Sequence, residues 1–272
     1  MQHQEFEPPE ALQDAIKCFW YDDRDLGKAQ TAFRVIPDGY AEIIFHFGSE
    51  LHISSDTNLY PLPSPFMVGL LDRPAVFSSR NRLEIIGIRC FPWAVFDLLG
   101  LPAGKDGVRV FEHPVARLHS NLEKLVGTGK IHEAVSQVEQ YFTDLRSRVT
   151  VDGMLSKAGT AMRQTNGTLP VSRVAAAAHA TVRTLERNFK QSSGHTVKDV
   201  SALMRFEQVR NRLWHDPDSG IAALAYELGY ADQSHLSREF KRYTGTTPAA
   251  FARNARKARL ALNQDFVAFV QA

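Results

Sequence analysis

Leu185–Gly194 reads LERNFKQSSG and Leu236–Gly245 reads LSREFKRYTG, nearly the same ten residues set 51 positions apart. Leu, Arg, Phe, Lys and Gly occupy the same five places in both copies. The surroundings match too: LPVSRVAAAAHATVRTLERNFKQSSG holds the first copy and SGIAALAYELGYADQSHLSREFKRYTG the second. Each reads as a short Ala-rich helix, a tight break, and a second helix with Leu and Phe four apart. Residues at i and i+4 share a helix face, so Leu185/Phe189 and Leu236/Phe240 are expected to be buried anchors. Small residues such as Ala175 and Ala225 let a second helix cross closely and steeply, as a helix-turn-helix unit requires. Ala175 lies ten residues before Leu185 and Ala225 eleven before Leu236, so the second turn is one residue longer.

The faces opposite these anchors carry Arg183, Arg187 and Asn188 in one copy and Ser234, His235, Arg238 and Arg242 in the other. Arg can bond guanine bidentately in a major groove, and smaller polar groups can meet other base edges. Lys190 and Lys241, near the helix ends, suit phosphates, which position a protein without reading sequence. A single copy would read equally well as a helical hairpin with a solvated face; two matched copies favour double-stranded DNA. Between them VKDVSALMRFEQVRNRLWHDP forms an amphipathic helix on Val200, Leu203, Phe206, Val209, Leu213 and Trp214. Roughly twenty helical residues span about 30 Å, close to the ~34 Å of one DNA turn. One chain could therefore read two adjacent major-groove segments.

Charge divides the 272-residue chain in the same way. Residues 1–165 hold 17 Lys/Arg against 21 Asp/Glu, a balance of −4, and residues 166–260 hold 15 against 8, a balance of +7. A basic half beside an acidic one fits a polyanion partner. Two cysteines, Cys18 and Cys90, are too few for a disulfide framework and lack zinc spacing. No signal-peptide order or membrane-length apolar run is evident, so a cytoplasmic protein without membrane association is expected.

The first hundred residues read as strands: AEIIFHFG (41–48), MVGLL (67–71), AVFSS (75–79) and LEIIGIRC (83–90), separated by turns such as Pro37-Asp38-Gly39. From about Leu118 the period becomes helical, and Ile131, Val135, Val138, Phe142, Leu145 and Val149 define an amphipathic helix that could pack on its own domain or on a second subunit. The expected division is a β-rich sensing or oligomerisation domain with trailing helices over 1–150, a linker at 151–167, a DNA-binding domain at 168–256 and a tail helix at 257–272.

The stretch IAALAYELGYADQSHLSREFKRYTGTTPAAF, with Gly229-Tyr230, Phe240, Gly245 and Pro248, resembles the DNA-binding domain of the AraC/XylS family of bacterial transcription regulators, and the resemblance covers about residues 168–256. It implies two helix-turn-helix units joined by a long helix. It places base contacts at Arg183, Glu186 and Arg187 and at Gln233, Ser234, His235 and Arg238; Lys190, Lys241 and Arg242 remain the phosphate candidates from their own positions. His179 stands where the family usually keeps a turn glycine, and Thr196-Val197 where it usually has Ser-Pro. VIPDGYAEIIFHFG and LEIIGIRCFPWAVFDLLGLPA resemble, more weakly, the cupin-like barrels that precede this domain in many members. The expected fold is thus a two-domain α+β chain, a β-rich cupin-like barrel followed by an all-α domain. The expected function is transcription regulation without enzymatic activity or cofactor. A small-molecule effector, RNA polymerase (for an activator) and a homodimer through the first domain are the further partners implied.

An enzyme reading would place a small-molecule catalyst in the barrel with the helical half regulatory. Glu42 and His46 share a strand face and, with His52 in a turn, invite a metal; Cys90 invites a nucleophile. The spacing of metal cupins is not present, and sheet and core roles are expected instead. Phe33, Tyr40, Phe45, Phe47, Phe66, Phe77, Phe91, Trp93 and Phe96 could line a pocket or fill the core. A third reading keeps the fold but binds protein in place of DNA.

Overall fold

The computed structural model describes residues 2–55, 58–101, 107–149 and 153–261. The first part is built from strands β1 (Gln2–Phe6), β2 (Ile16–Asp25), β3 (Thr31–Val35), β4 (Ala41–Gly48), β5 (His52–Ser55), β6 (Asn58–Pro61), β7 (Phe66–Val68), β8 (Ala75–Ser79) and β9 (Arg82–Cys90). Helix α1 (Val95–Leu99) and strand β10 (Val108–Arg109) follow, then α2 (His119–Gly127) and α3 (Ile131–Arg146). The remaining helices are α4 (Gly153–Gln164), α5 (Val171–Ala177), α6 (Val182–Ser193), α7 (Val197–His215), α8 (Ile221–Glu227), α9 (Gln233–Thr244) and α10 (Pro248–Ala261). The chain is a two-domain α+β protein.

The strands form two sheets, ordered β1-β2-β9-β4-β7-β10 and β3-β8-β5-β6. They face each other without closing into the barrel expected from sequence. Trp20, Ile44, Phe66 and Ile85 of the larger sheet meet Phe33 and Phe77 of the smaller, and all six are buried. The outer face of the larger sheet is covered as well, by α3: Val135, Val138 and Phe142 are buried, and the Phe142 ring lies 6.5 Å from Phe19. The amphipathic helix therefore packs on its own sheet. Burial on both faces is why β4 and β9 read as continuous apolar runs instead of alternating. Of the aromatics offered as pocket lining or core, Phe33, Phe45, Phe47, Phe66, Phe77, Trp93 and Phe96 are core, at most 5% exposed, while Tyr40 and Phe91 border a cleft.

Several expectations need correcting. Of MVGLL only Met67 and Val68 lie in a strand, β7, and His52 begins β5 instead of lying in a turn. The longest strand, β2, was not anticipated, because YDDRD looks polar; Asp22 and Arg24 are buried in it and pair with each other. The boundary stretch, expected to be partly helical, forms α4, whose Leu155, Ala158 and Met162 are buried. The expected tail helix begins within α10, and residues 262–272 lie outside the described residues.

The two parts meet around Trp93, in the loop between β9 and α1. Its indole stacks on Phe91 at 5.1 Å with an interplanar angle of 4° and lies 5.9 Å from Phe189 of α6. Gly159 of α4 leaves the space for it, since a Cβ there would come within 2.2 Å of the ring. The Ser192 hydroxyl at the end of α6 donates to the Trp93 carbonyl at 2.6 Å. A second contact sets the Pro37-Asp38-Gly39 turn against α7, beside Met204 and Glu207.

Burial, with Asp38 beside it, raises the Glu207 carboxyl to about 7, although Arg210 lies 3.7 Å away. The folded chain thus keeps this proton while an unfolded chain loses it near 4.5, so stability falls as pH rises from about 4.5 to 7 and is level above. Glu207→Gln removes that loss. We expect its melting temperature to match the parent near pH 4.5 and exceed it above pH 7, as read by thermal denaturation across pH; a constant difference would contradict the assignment.

Candidate nucleic-acid interface

The repeated stretches fold into equivalent units, α5–α6 and α8–α9. In both, the shared residues do the same work. Leu185, Phe189 and Leu236 are fully buried and Phe240 is 1% exposed, while Ala175 and Ala225 sit buried on the crossing helices. Truncating any one of these anchors to Ala would cost about 2–5 kcal/mol. Gly194 and Gly245 end the helices in the left-handed region, at φ 75° and 77°, donating to the Lys190 and Lys241 carbonyls. Thr181 and Asp232 cap the two helices by accepting from the Thr184 and His235 N–H groups. Such caps are worth about 1 kcal/mol each.

The turns match down to single hydrogen bonds. His179 N–H donates to Ala176 and Ala180 N–H to Ala175 in the first unit; Gly229 N–H donates to Tyr226 and Tyr230 N–H to Ala225 in the second. His179 adopts φ 53° where Gly229 has φ 70°. The histidine therefore does occupy the glycine conformation. Thr196-Val197 also works in place: Thr196 and Asp199 form a reciprocal capping box that starts α7.

With the anchors down, Arg183, Arg187 and Lys190 are exposed along α6, and Gln233, Ser234, Arg238, Lys241 and Arg242 along α9. The connecting helix α7 has 19 residues, or about 28 Å of rise. Three of the predicted site residues have other engagements. Glu186 turns its carboxylate to the Val197 N–H at 3.2 Å, tying the first reading helix to the start of α7. His235 is half-buried, edge-on to Tyr230 at 5.3 Å, with Nδ1 accepting from the Ala231 N–H and Nε2 4.0 Å from Glu239. Arg242 borders a cavity of about 160 Å³ shared with Leu70, Leu71 and Asp72 of the β domain.

Residues that sequence reasoning missed hold this surface in place. Tyr230 donates to Glu239 at 2.8 Å, and burial raises its hydroxyl pKa. Arg205 of α7 lies 5.4 Å over the Tyr230 ring and donates to the Gly167 carbonyl. Arg212 of α7 donates to Glu227 of α8 at 2.8 Å. The capping pattern of Thr181 and Asp232 could have been read from sequence; the Tyr230–Glu239–Arg205 group could not, because it joins the α8–α9 turn and α9 to α7, far earlier in the chain.

The alternative chemistry is otherwise occupied. Arg89 donates to Glu42 at 2.7 Å, and His46 Nε2 is 3.1 Å from the Leu62 carbonyl. Cys18 and Cys90 are free and buried, and burial pushes the Cys18 thiol up to about 12 and Cys90 higher still. Neither is a thiolate nucleophile at neutral pH.

A left-handed conformation costs an L-residue about 1 kcal/mol or more, and about 1 kcal/mol moves the melting temperature of a domain this size by about 2–4 °C. His179→Gly should therefore raise the melting temperature by a few degrees and Gly229→Ala should lower it; no change in either would show the turns unstrained.

Residues 4–106 match the profile of a family described as a domain of unknown function, and residues 174–254 match the profile of a helix-turn-helix domain. Over 69 residues, 25% of this chain, the sequence is 38% identical to the HTH-type transcriptional regulator RipA of Corynebacterium glutamicum, covering 20% of that protein. Over 67 residues, also 25% of this chain, it is 36% identical to the HTH-type transcriptional activator RhaS of Escherichia fergusonii, covering 24% of it. The chain thus spans about a quarter or less of these relatives' own length. Among solved structures, ToxT from Vibrio cholerae aligns over 86% of this chain and 98% of its own, at 11% identity and a TM-score of 0.45. The repeat geometry and the sequence matches agree: over residues 174–254 the chain carries the double helix-turn-helix domain of the AraC/XylS regulators.

Proposed function

We propose that the protein is a cytoplasmic transcription regulator that reads two adjacent major-groove segments of double-stranded DNA, one with α6 and one with α9. The carrying observation is the pair of equivalent units whose anchors are buried and whose Arg-bearing faces are exposed. In this reading Arg183 and Arg187 contact bases in one segment, and Gln233, Ser234 and Arg238 in the other. Lys190 and Lys241 hold phosphates. Glu186 and His235 support the helices that read, since their polar atoms face the protein. The β domain controls the DNA-binding part in response to a small molecule, or through a second copy of the chain, and an activating member would also meet RNA polymerase.

Selection of full-length protein against a random duplex library tests this reading. We expect an enriched bipartite site whose binding weakens steeply with salt. Arg238→Ala should relax preference at one segment, whereas Lys241→Ala should weaken every sequence alike and lower the salt slope by about one. If no duplex were enriched, the reading would fail; equal losses on all sequences for both variants would remove the division of roles.

A further inference from the structure

The β domain leaves little room for a ligand between its sheets. Trp20, Phe33, Phe66 and Phe77 are at most 4% exposed there, and the cavity beside them, next to Val35 and Arg89, holds only about 20 Å³. A larger space lies elsewhere, a cleft of about 350 Å³ between the β domain and the helical part. Lys17, Tyr40 and Phe91 line one side, and Arg163, Asn166 and Met204 the other. That volume is in the range of small-molecule sites.

The charges in the cleft are unbalanced in an instructive way. The guanidinium of Arg163 lies 4.0 Å above the Phe91 ring. Its Nη2 donates to Thr160 at 3.3 Å, while its buried Nη1 has no hydrogen-bond partner. Arg82, Arg89, Arg146, Arg210 and Arg212 each reach a carboxylate. Arg163 reaches none among the described residues, and neither does Lys17. A partly desolvated cation without a counter-charge is costly, and an anion that bonds it removes the cost. The acids of the lining are Glu7, which is exposed, and Glu207, which is near Arg210. Glu207 keeps its proton up to about pH 7, so Arg163 and Lys17 outweigh the acid charge of the lining, which favours a singly charged head over a phosphate dianion. Tyr40, Phe91, Ile16 and Met204 give the rest of the ligand apolar walls.

We propose that this cleft binds a small organic monocarboxylate, with Arg163 and Lys17 on its carboxylate and its apolar body against Tyr40, Phe91 and Met204. Arg163 presents a planar fork that matches a carboxylate, and the stack on Phe91 aims it. The site is also wired to the first reading unit. Phe91 stacks on Trp93, and Trp93 touches Phe189 and accepts from Ser192, both in α6. A ligand that shifts Arg163 or Phe91 therefore acts on α6 through one shared aromatic. This coupling rests on the DNA-binding reading above; occupancy of the cleft does not.

Calorimetry on the full chain without DNA separates the two. Acetate, hexanoate and 3-phenylpropionate are titrated, each against its neutral amide, with inorganic phosphate as a further probe. We expect at least one of the two larger acids to bind and its amide and phosphate to bind at least tenfold more weakly. Charged hydrogen bonds worth about 1.5–3 kcal/mol correspond to about ten- to a hundredfold in affinity. Arg163→Gln should lose that factor, Arg163→Lys should recover part of it, and Lys17→Gln, at an exposed position, should weaken binding without lowering the melting temperature. Acid and amide binding alike, phosphate binding as tightly, no acid binding at all, or a folded Arg163→Gln with parental affinity would each overturn the site. Failure of DNA selection with the carboxylate still bound would instead leave the cleft standing and remove the regulatory reading.

Discussion

Burial of a Leu and a Phe four residues apart is the constraint from which the helical half follows. One helix face can hold both only if it turns inward, and its opposite face must then turn outward. At Leu185/Phe189 and again at Leu236/Phe240, this decides which side chains meet solvent. The Arg and Lys residues of α6 and α9 are exposed because the anchors leave them nowhere else to go. The crossing helices cooperate by offering alanine, and the left-handed glycines after Ser193 and Thr244 end each reading helix at the same point.

A similar economy joins the two parts of the chain. Trp93 belongs by sequence to the β domain, yet its ring fills space left by Gly159 and contacts Phe189. The contact is apolar at its centre and closed by the Ser192 hydroxyl. Around it lie groups that are costly to bury, among them Glu207, Asp38 and Arg163. An interface that mixes one dry aromatic with partly compensated charges is sensitive to protons and to ions in a way that an all-apolar contact is not.

The repeat was the most legible part of the sequence, because identity at fixed spacing and helical period pointed to the same anchors. The strands β4, β8 and β9 were legible for a related reason: their apolar and β-branched runs are short and bounded by turns. What could not be read depended on partners far along the chain. β2 hides its core role behind Asp22 and Arg24, which satisfy each other only once folded. Glu186 looks like a reading residue until the end of α6 brings it to the Val197 N–H. Trp93 is open to pocket or core readings in the sequence, since nothing local shows that helices from the other domain complete its surroundings. Arg163 gains its setting from Phe91 and Trp93, some seventy residues earlier in the chain, which no local pattern shows.

The hydroxyl of Ser192 has a mechanical meaning. It fastens the end of α6 to the β domain, whereas the end of α9 meets that domain at Arg242 across an open cavity. The two heads are therefore not equally free. The first is fastened to the β domain directly, and the second is held on α7, where Phe206 packs on Phe240 and Tyr243. A displacement of Trp93 would therefore reach α6 without an intermediary, and α9 only through α7.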